Sequence, residues 1–402
     1  MPLDPLRNPY TPGAGQAPAV LSGRGQELED FETRLRRLEN GRAAQCTLVV
    51  GLRGVGKTVL LSTFSRAALR RDWVVAEHEL TPTGDLLATT ARLARQCLLE
   101  LSPPSGWSRA AARVADLLSG FEVSYRLAGL AVSRSAADAQ PASGDPAQDV
   151  AALLVALGQA AQDHGRGVVL LLDELQFAAA EPLGALVAGL HKVAQRSLPL
   201  TAVAAGLPQT RGVLAEAASY SERMFDTREV GALDVQDARA ALAEPAAAEG
   251  VAFDDDAVGE AVRFSEGYPF FLQVFGDQVW RLASDERIEA EDVQRAAPQV
   301  VATLDRRFFT FRTDGLPVAQ RRYLRAMAEL PAQGRSSGEV ARVLGLASSA
   351  PIGQTREALI RRGLIYAPRL GFADFTVPQF ADYLRRHFEL EKHVPRRRGS
   401  SS

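Results

Sequence analysis

The stretch from Gly51 to Thr58 constrains this chain most, because it fits the pattern glycine, any four residues, then Gly-Lys-Thr. Glycines at this spacing let the backbone curl around a phosphate with its N–H groups pointing inward. The pattern requires a strand before the loop and a helix after it. Residues 47–50 are β-branched or apolar, as a buried strand needs, and residues 59–68 favour a helix. The stretch therefore predicts a phosphate-binding loop, called the P-loop below, within an α/β fold.

Two side chains of the P-loop have expected tasks. Lys57 is expected to reach the β- and γ-phosphates of a nucleotide, and Thr58 to ligate Mg²⁺ through its hydroxyl. Further nucleotide contacts are predicted for Gly51, Gly54, Val55, Gly56 and Val59. The alternative is a glycine-rich turn that carries a lysine by chance. Only three of the 46 basic residues are lysines, at positions 57, 192 and 392, and the other 43 are arginines, so a lysine here favours the phosphate site.

Charge is distributed unevenly along the chain, although the formal net charge is only −2. Residues 316–402 contain 14 Arg and 1 Lys against 7 acidic residues, a net charge of +8, so residues 1–315 carry −10. A length of 402 residues predicts two or three domains. The charges predict an acidic body followed by a basic C-terminal module.

The sequence has no pattern typical of a secreted or membrane protein. Residues 1–15 are rich in proline and lack the apolar stretch of a secretory signal, and no apolar run approaches the ~20 residues of a membrane span. Cys46 and Cys97 lack the spacing of a metal site or a disulfide framework. We therefore expect a cytoplasmic protein without a membrane partner. The preference for arginine and the abundant alanine are typical of high-GC bacterial coding.

The order of predicted elements divides the chain into consecutive units. They are an extended segment (1–20), an α/β core (21–230), an all-helical segment (231–315), a winged helix-turn-helix (316–390) and a tail (391–402). Residues 102–149 are interpreted as an insertion in the core, with a strand at 121–127 and a loop at 136–146. Asp149 is expected to cap a helix that runs through Ala161.

An acidic pair follows the buried strand predicted just before residue 173. A run of apolar residues carries Asp173 and Glu174 to the C-terminal edge of a parallel sheet, where ligands bind in doubly wound folds. Asp173 is expected to hold Mg²⁺, and Glu174 to orient and deprotonate the water that attacks the γ-phosphate. Alone, the pair would indicate a solvated strand end. Downstream of a P-loop, it favours the second half of a nucleotide site.

The C-terminal residues predict a winged helix-turn-helix. Three helices are expected at 317–330, 337–344 and 351–362, followed by wing strands at 364–366 and 375–377. The net charge of +8 favours double-stranded DNA as the partner. The candidate DNA contacts are Gln354, Thr355, Arg356, Arg361, Arg362 and Arg369.

The order of Gly23-Arg24, the P-loop, Asp173-Glu174, Arg223 and then helices resembles the Orc1/Cdc6-like branch of AAA+ ATPases. Gly267-Tyr268-Pro269 resembles the Gly-x-Pro module of the related STAND ATPases. The resemblance implies an ASCE-type α/β fold with five parallel strands and a helical lid. It also implies ATP or ADP and Mg²⁺ as cofactors, and self-association in the ATP-bound form.

The same resemblance assigns roles to single residues. It places Arg24 near the adenine and makes Pro269 a reporter of the nucleotide state to the module that follows. Arg223 would reach into a neighbouring subunit's site and stabilise charge on the transferring phosphoryl group. The alternative for Arg223 is a surface arginine paired with Glu222 or Asp226.

Two departures from the family pattern lower the expected rate of hydrolysis. The predicted fourth strand ends in Ala204-Ala205-Gly206, where many AAA+ proteins carry a polar residue that positions water. Thr201 and Gln209 are the candidates to replace it. Pro269 or Phe270 occupies the place where replication initiators carry a sensor arginine.

The sequence thus favours a slowly hydrolysing, nucleotide-dependent switch with a DNA-binding winged helix. The alternative is a nucleotide-gated signalling or defence scaffold, because winged helices in STAND-like ATPases often contact a protein client instead of DNA.

Overall fold

The computed structural model describes residues 3–13, 15–102, 107–125, 127, 129–130, 143–332 and 335–390. Its core is a parallel sheet in the order β2-β3-β4-β1-β5. The strands are Cys46–Val50 (β1), Val74–Glu79 (β2), Val168–Asp173 (β3), Leu200–Gly206 (β4) and Phe225–Glu229 (β5). All residues of β1, β3 and β4 are buried, because helices cover both faces of the sheet. The predicted five-stranded parallel core is confirmed.

Two layers of helices sandwich this sheet. Successive residues of a strand point to opposite faces of the sheet. One face packs against α1 and α2, and the other packs against α3 to α6. The helices of the core are Gly25–Glu39 (α1), Lys57–Arg70 (α2), Leu86–Leu101 (α3), Arg109–Tyr125 (α4), Pro146–Asp163 (α5), Ala180–Gln195 (α6), Thr210–Ala217 (α7) and Ser221–Met224 (α8). Among the described residues, no helix has both the length and the apolarity to cross a bilayer.

The strand predicted at 121–127 is wrong, because these residues continue into α4 up to Tyr125. Ala111, Val114, Leu118 and Phe121 are buried at helical spacing and join the core layer of α3, α5 and α6. A short alternation of apolar and polar residues fits one face of a helix as well as it fits a strand.

The predicted cap of the next helix is also wrong. Asp145, not Asp149, caps α5 by accepting a hydrogen bond from Ala147 N at 2.9 Å. Asp149 lies one turn into the helix, where it accepts hydrogen bonds from Ser143 N and the Tyr125 hydroxyl. Residues 136–142 of the predicted loop and the tail at 391–402 lie outside the described residues.

A helical segment (residues 231–315) follows the sheet. It contains Val235–Ala248 (α9), Asp255–Ser265 (α10), Pro269–Leu282 (α11), Ala290–Leu304 (α12) and Thr310–Thr313 (α13), with a small parallel pair, Ala252–Phe253 (β6) and Arg287–Ile288 (β7). The N-terminal segment is extended but anchored here, because Tyr10 is only 3 % exposed and donates its hydroxyl hydrogen to Leu242 O.

A C-terminal unit (residues 316–390) completes the chain. Its elements are Val318–Ala328 (α14), Ser337–Val343 (α15), Gly353–Arg361 (α16), an antiparallel pair Ile365–Tyr366 (β8) and Asp374–Phe375 (β9), and Phe380–His387 (α17). A 3₁₀ turn, Ala350–Ile352, precedes α16.

Candidate functional site

The P-loop joins β1 to α2, and its backbone carbonyl groups bind the ammonium group of its own lysine. Lys57 is the first residue of α2, and its Nζ donates hydrogen bonds to Gly51 O and Leu52 O, both at 2.9 Å. Gly54 and Gly56 have φ values of 83° and 94°, which residues with a side chain rarely adopt. Burial lowers the pKa of Lys57 to about 8, although the carboxylates of Glu174 and Asp173 oppose this shift. Within the described part of the chain, the hydrogen bonds of this cation therefore go to backbone carbonyl groups of the loop.

The two predicted Mg²⁺ ligands are adjacent. Thr58 Oγ1 donates a hydrogen bond of 2.6 Å to Asp173 Oδ2. This pair supplies one hydroxyl and one carboxylate oxygen, the ligand types that Mg²⁺ takes when phosphates and water complete its shell. The described residues contain no group of three or more His, Cys, Asp or Glu that could cage a metal alone. The donor set therefore fits a metal that binds together with a phosphate ligand.

Glu79 is a third carboxylate at this edge, which the sequence reasoning missed. It ends β2 opposite Asp173 in the strand register. Burial, and then the charges of Asp173 and Glu174, raise its pKa. Only the pairing of β2 with β3 brings Glu79 to this edge, so no local sequence signal could have identified it.

Glu174 is held by a glutamine that the sequence reasoning also missed. The Glu174 backbone is left-handed, with φ 54°, and its Oε2 accepts a hydrogen bond from Gln176 Nε2. Gln176 Oε1 in turn accepts from Leu207 N at 3.1 Å. The candidate base is thus tied to the end of β4 through one amide side chain.

The two sensor candidates on and after β4 differ in position. Thr201 lies near the start of β4, opposite Val169, where its hydroxyl contacts Cys46 Sγ at 3.9 Å. It is therefore at the wrong end of the strand to replace a sensor at the C-terminal edge. Gln209 lies just after β4, and its Oε1 is buried without a hydrogen-bond partner among the described residues.

Two arginines add positive charge near Lys57, Arg53 within the P-loop itself and Arg312 from the helical segment. Arg312 in α13 lies with its Cζ 3.6 Å from the centre of the Phe308 ring. Burial, and then the charge of Arg53, lower the pKa of Arg312 to about 10, while Tyr268 and Glu174 oppose the shift. Arg53 Nε is buried without a hydrogen-bond partner among the described residues. The surroundings of Lys57 therefore contain positive charge that suits an anionic ligand.

The helical segment reaches the P-loop through the start of α11. Pro269 is the first residue of this helix, Phe270 N donates to Gly54 O at 3.3 Å, and the Tyr268 hydroxyl donates to Arg53 O. Gly267 has φ 68° and packs against Leu233 O so closely that a side chain would not fit. Residues 267–269 therefore lie directly against the P-loop and form part of the candidate nucleotide site.

Arg24 is a buried brace on the other side of the P-loop. Its guanidinium donates to Val55 O at 3.2 Å and to Gly231 O at 2.6 Å. Burial lowers its pKa. Arg24 therefore fixes the P-loop relative to the entry of the helical segment.

The C-terminal unit also touches the P-loop. Gly363 packs so closely that a Cβ would lie 2.9 Å from both Arg53 Nε and Leu207 Cδ1. Thr376 O lies 3.3 Å from the Tyr268 hydroxyl, and Gln379 Nε2 donates to Phe264 O at 2.6 Å. The P-loop, the helical segment and the C-terminal unit therefore meet at Tyr268.

The candidate DNA contacts differ in accessibility. Gln354, Arg361, Arg362 and Arg369 are exposed, whereas Thr355 and Arg356 are partly buried. Arg356 donates a hydrogen bond of 2.8 Å to Phe372 O inside the unit. Arg369 lies with its Cζ 3.7 Å from the centre of the Phe372 ring.

Arg223 is exposed at the end of α8, next to β5. Asp226, one of its two expected partners, instead forms ion pairs with Arg34 and Arg228. The Arg223 side chain therefore points to solvent at the edge of the core.

Comparisons with known proteins agree with this architecture. Residues 20–203 match the family described as "AAA ATPase domain", and residues 306–384 match "Domain of unknown function (DUF8462)". No curated protein matches the chain.

Solved structures match most of the chain. The Walker-type ATPase PABY2304 of Pyrococcus abyssi is 16% identical, with 91% of this chain and 96% of that chain covered and a TM-score of 0.51. The Orc1 protein of Aeropyrum pernix in complex with DNA is 17% identical over 92% and 94%, with a TM-score of 0.44. The RuvB Holliday junction branch migration motor of Thermotoga maritima is 15% identical over 93% and 96%, with a TM-score of 0.47. Residues 20–203 are therefore similar to an AAA ATPase domain, and the five-stranded parallel sheet has the fold of an AAA+-like P-loop core.

Proposed function

We propose that this protein is an ATP-dependent switch of the cytoplasm. It binds ATP with Mg²⁺ at the P-loop, hydrolyses ATP slowly, and passes the nucleotide state to its C-terminal unit. The observation that carries the proposal is the meeting of three units at one tyrosine. The Tyr268 hydroxyl lies between Arg53 O of the P-loop and Thr376 O of the C-terminal unit. A ligand that changes the conformation of the P-loop would therefore also change the contact of Tyr268 with Thr376 in the C-terminal unit.

The side chains of the site divide the chemistry between them. Lys57 exchanges its bonds to Gly51 O and Leu52 O for phosphate oxygens, while Thr58 and Asp173 hold the metal. Mg²⁺ supplies neutralisation of the phosphate charge. Glu174 accepts a proton from the attacking water. The exposed Arg223 is suited to act on the site of a second copy, so we expect self-association in the ATP-bound form.

Calorimetry of the full chain with MgATP and MgADP tests nucleotide binding. Lys57→Ala should abolish binding, because it removes the cation inside the loop. Lys192→Ala is the matched control, since Lys192 is exposed on α6. Equal affinity in wild type and Lys57→Ala, or no binding by the wild-type protein, would refute the assignment.

We propose further that the C-terminal unit is a winged helix that binds double-stranded DNA. The exposed Gln354, Arg361, Arg362 and Arg369 on α16 and beside β8 support this proposal, as does the net charge of +8 over residues 316–402. Arg356 is engaged inside the unit, so its contribution to DNA contact should be small.

Fluorescence anisotropy with a labelled duplex, at several salt concentrations, tests this proposal. Affinity should fall as salt rises, because phosphate contacts release counterions. Arg361→Ala should weaken binding, whereas Arg295→Ala, on the exposed side of α12, should not. Absence of binding at low salt would exclude DNA as the partner.

One observation favours a protein client as the second candidate. Leu370, between β8 and β9, is 100 % exposed. A fully exposed leucine at such a tip offers an apolar side chain to another protein. If Leu370→Ser abolishes capture of a client while the duplex shows no binding, the scaffold function replaces the DNA function.

A further inference from the structure

The C-terminal end of β4 lacks a polar side chain of its own, and its neighbour Gln176 takes up the space. β4 ends at Gly206, and a Cβ on this glycine would lie 2.8 Å from Gln176 Oε1 and even closer to Thr210 Oγ1. Gln176 belongs to a 3₁₀ turn, Leu175–Phe177, that follows β3. An amide from the neighbouring strand therefore fills the position that a side chain on β4 would occupy.

The bonds of the Gln176 amide determine its orientation. Its Oε1 accepts the hydrogen bond from Leu207 N at 3.1 Å, so its Nε2 faces Glu174 and donates to Oε2. The reversed amide would place an oxygen against the carboxylate and a donor against the Leu207 N–H group, so both bonds would be lost. Leu207 is fixed in turn, because its side chain packs under Gly363.

The Glu174 carboxylate lies near the P-loop lysine. Burial lowers the pKa of Lys57, and the charge of Glu174, with that of Asp173, opposes this shift. The backbone of Glu174 is in the left-handed region, which a glutamate adopts only when surrounding contacts hold it there. The bond from Gln176 is a contact of this kind.

We propose that Gln176 is the positioning residue for Glu174 and replaces the polar side chain that β4 lacks. By holding Oε2, Gln176 leaves Oε1 of Glu174 free to accept the proton of water. The oxygen of that water bonds to the terminal phosphorus as the bond to the bridging oxygen breaks, and ADP and phosphate are the products. The inference rests on the proposed ATPase function and names the residue that orients its base.

Two variants of the full chain separate positioning from structural support. Gln176→Glu keeps an acceptor for Leu207 N but replaces the donor to Glu174 with a carboxylate oxygen. Gln176→Met has a similar length and removes both bonds. If Gln176 positions Glu174, both variants should lower kcat on the order of tenfold, the effect of losing one hydrogen bond to a charged group. The Kd for MgATP should stay within about twofold in both variants.

Thermal unfolding of the nucleotide-free protein supplies a readout independent of turnover. Gln176→Glu keeps the Leu207 bond but sets two carboxylates against each other, and Gln176→Met loses both bonds, so both variants should melt below the wild type. A purely structural role predicts that Gln176→Glu keeps the wild-type kcat, and this result would overturn the inference. If Gln176→Met does not fold, Gln176→Glu alone decides.

Failure of the inference can be distinguished from failure of the proposed function. Wild-type kcat in both variants refutes the role of Gln176 and leaves the ATPase standing. A wild-type protein that binds MgATP without turnover overturns the inference and leaves the nucleotide switch standing. A wild-type protein that binds no nucleotide refutes the proposed function and, with it, the inference.

Discussion

Gly363→Ala should detach the C-terminal unit from the P-loop. Gly363 has φ 66°, and the new methyl group would lie 2.9 Å from Arg53 Nε, Arg53 Nη2 and Leu207 Cδ1. Contacts this short force neighbouring atoms to move. The three atoms are ends of side chains that can turn aside, so the overpacking costs about 1 kcal/mol, the low end for a filled site, and the left-handed backbone adds about 1–2 kcal/mol for any residue other than glycine.

A matched variant isolates the steric part of this cost. Gly371 lies in the same unit with φ 78°, but nothing lies within 4 Å of its Cβ position. Gly371→Ala therefore carries the backbone cost alone. The difference of about 1 kcal/mol corresponds to a shift of about fivefold from the docked towards the undocked form.

Hydrogen exchange followed by mass spectrometry measures this shift. Peptides that cover residues 51–58 and 363–379 should exchange faster in Gly363→Ala than in Gly371→Ala. If the proposed switch operates, the affinity of the nucleotide-free protein for the duplex should also change in Gly363→Ala. Equal exchange in the two variants would show that the contact between Gly363, Arg53 and Leu207 does not hold the unit in place.

Four further changes test the site. Glu174→Gln should keep the calorimetric affinity for MgATP but lower phosphate release by at least about 100-fold, and unchanged release would place the base elsewhere. Arg312→Ala should weaken ATP binding about tenfold and ADP binding little, because its guanidinium interacts with the charges of Arg53 and Glu174 and is expected to meet the terminal phosphate; equal losses for both nucleotides would contradict this contact. Gly206→Ser should displace the Gln176 amide and lower kcat with little change in the Kd for MgATP, and wild-type kcat would show that the space near Gln176 is not limiting. Arg223→Ala should lower turnover only at protein concentrations where the chain self-associates, so an equal effect in dilute protein would exclude a role in a neighbouring site.

Docking of the C-terminal unit gives the proposed switch a physical basis. The unit contacts the P-loop through Gly363 and the helical segment through Thr376 and Gln379. A nucleotide can shift such an equilibrium only through different contacts in the two states. Lys57, Arg53 and Arg312 are the cations positioned to make these contacts.

The predicted insertion (residues 102–149) shows that a short sequence pattern can fail to distinguish a strand from a helix. Residues 121–125 alternate like a strand, yet burial of Ala111, Val114, Leu118 and Phe121 makes them the end of a helix. The periodicity of so few residues fits both structures, and the packing of α4 against its neighbours decides between them. Tertiary contacts also separate the two candidate caps of α5. Tyr125 and Ser143 donate hydrogen bonds to the Asp149 carboxylate, and Asp145 caps the helix.

The sequence by itself determined the P-loop, the strand that delivers Asp173 and Glu174, and the alternation of strands and helices in the core. These features depend on glycine spacing and on apolar runs, which are local properties of the chain. Only the tertiary structure decided that Gln176 holds Glu174, that Arg312 faces the P-loop and that Gly363 packs on Arg53. Those contacts join elements distant in sequence, and their side chains acquire partners only when the sheet, the helical segment and the C-terminal unit pack together.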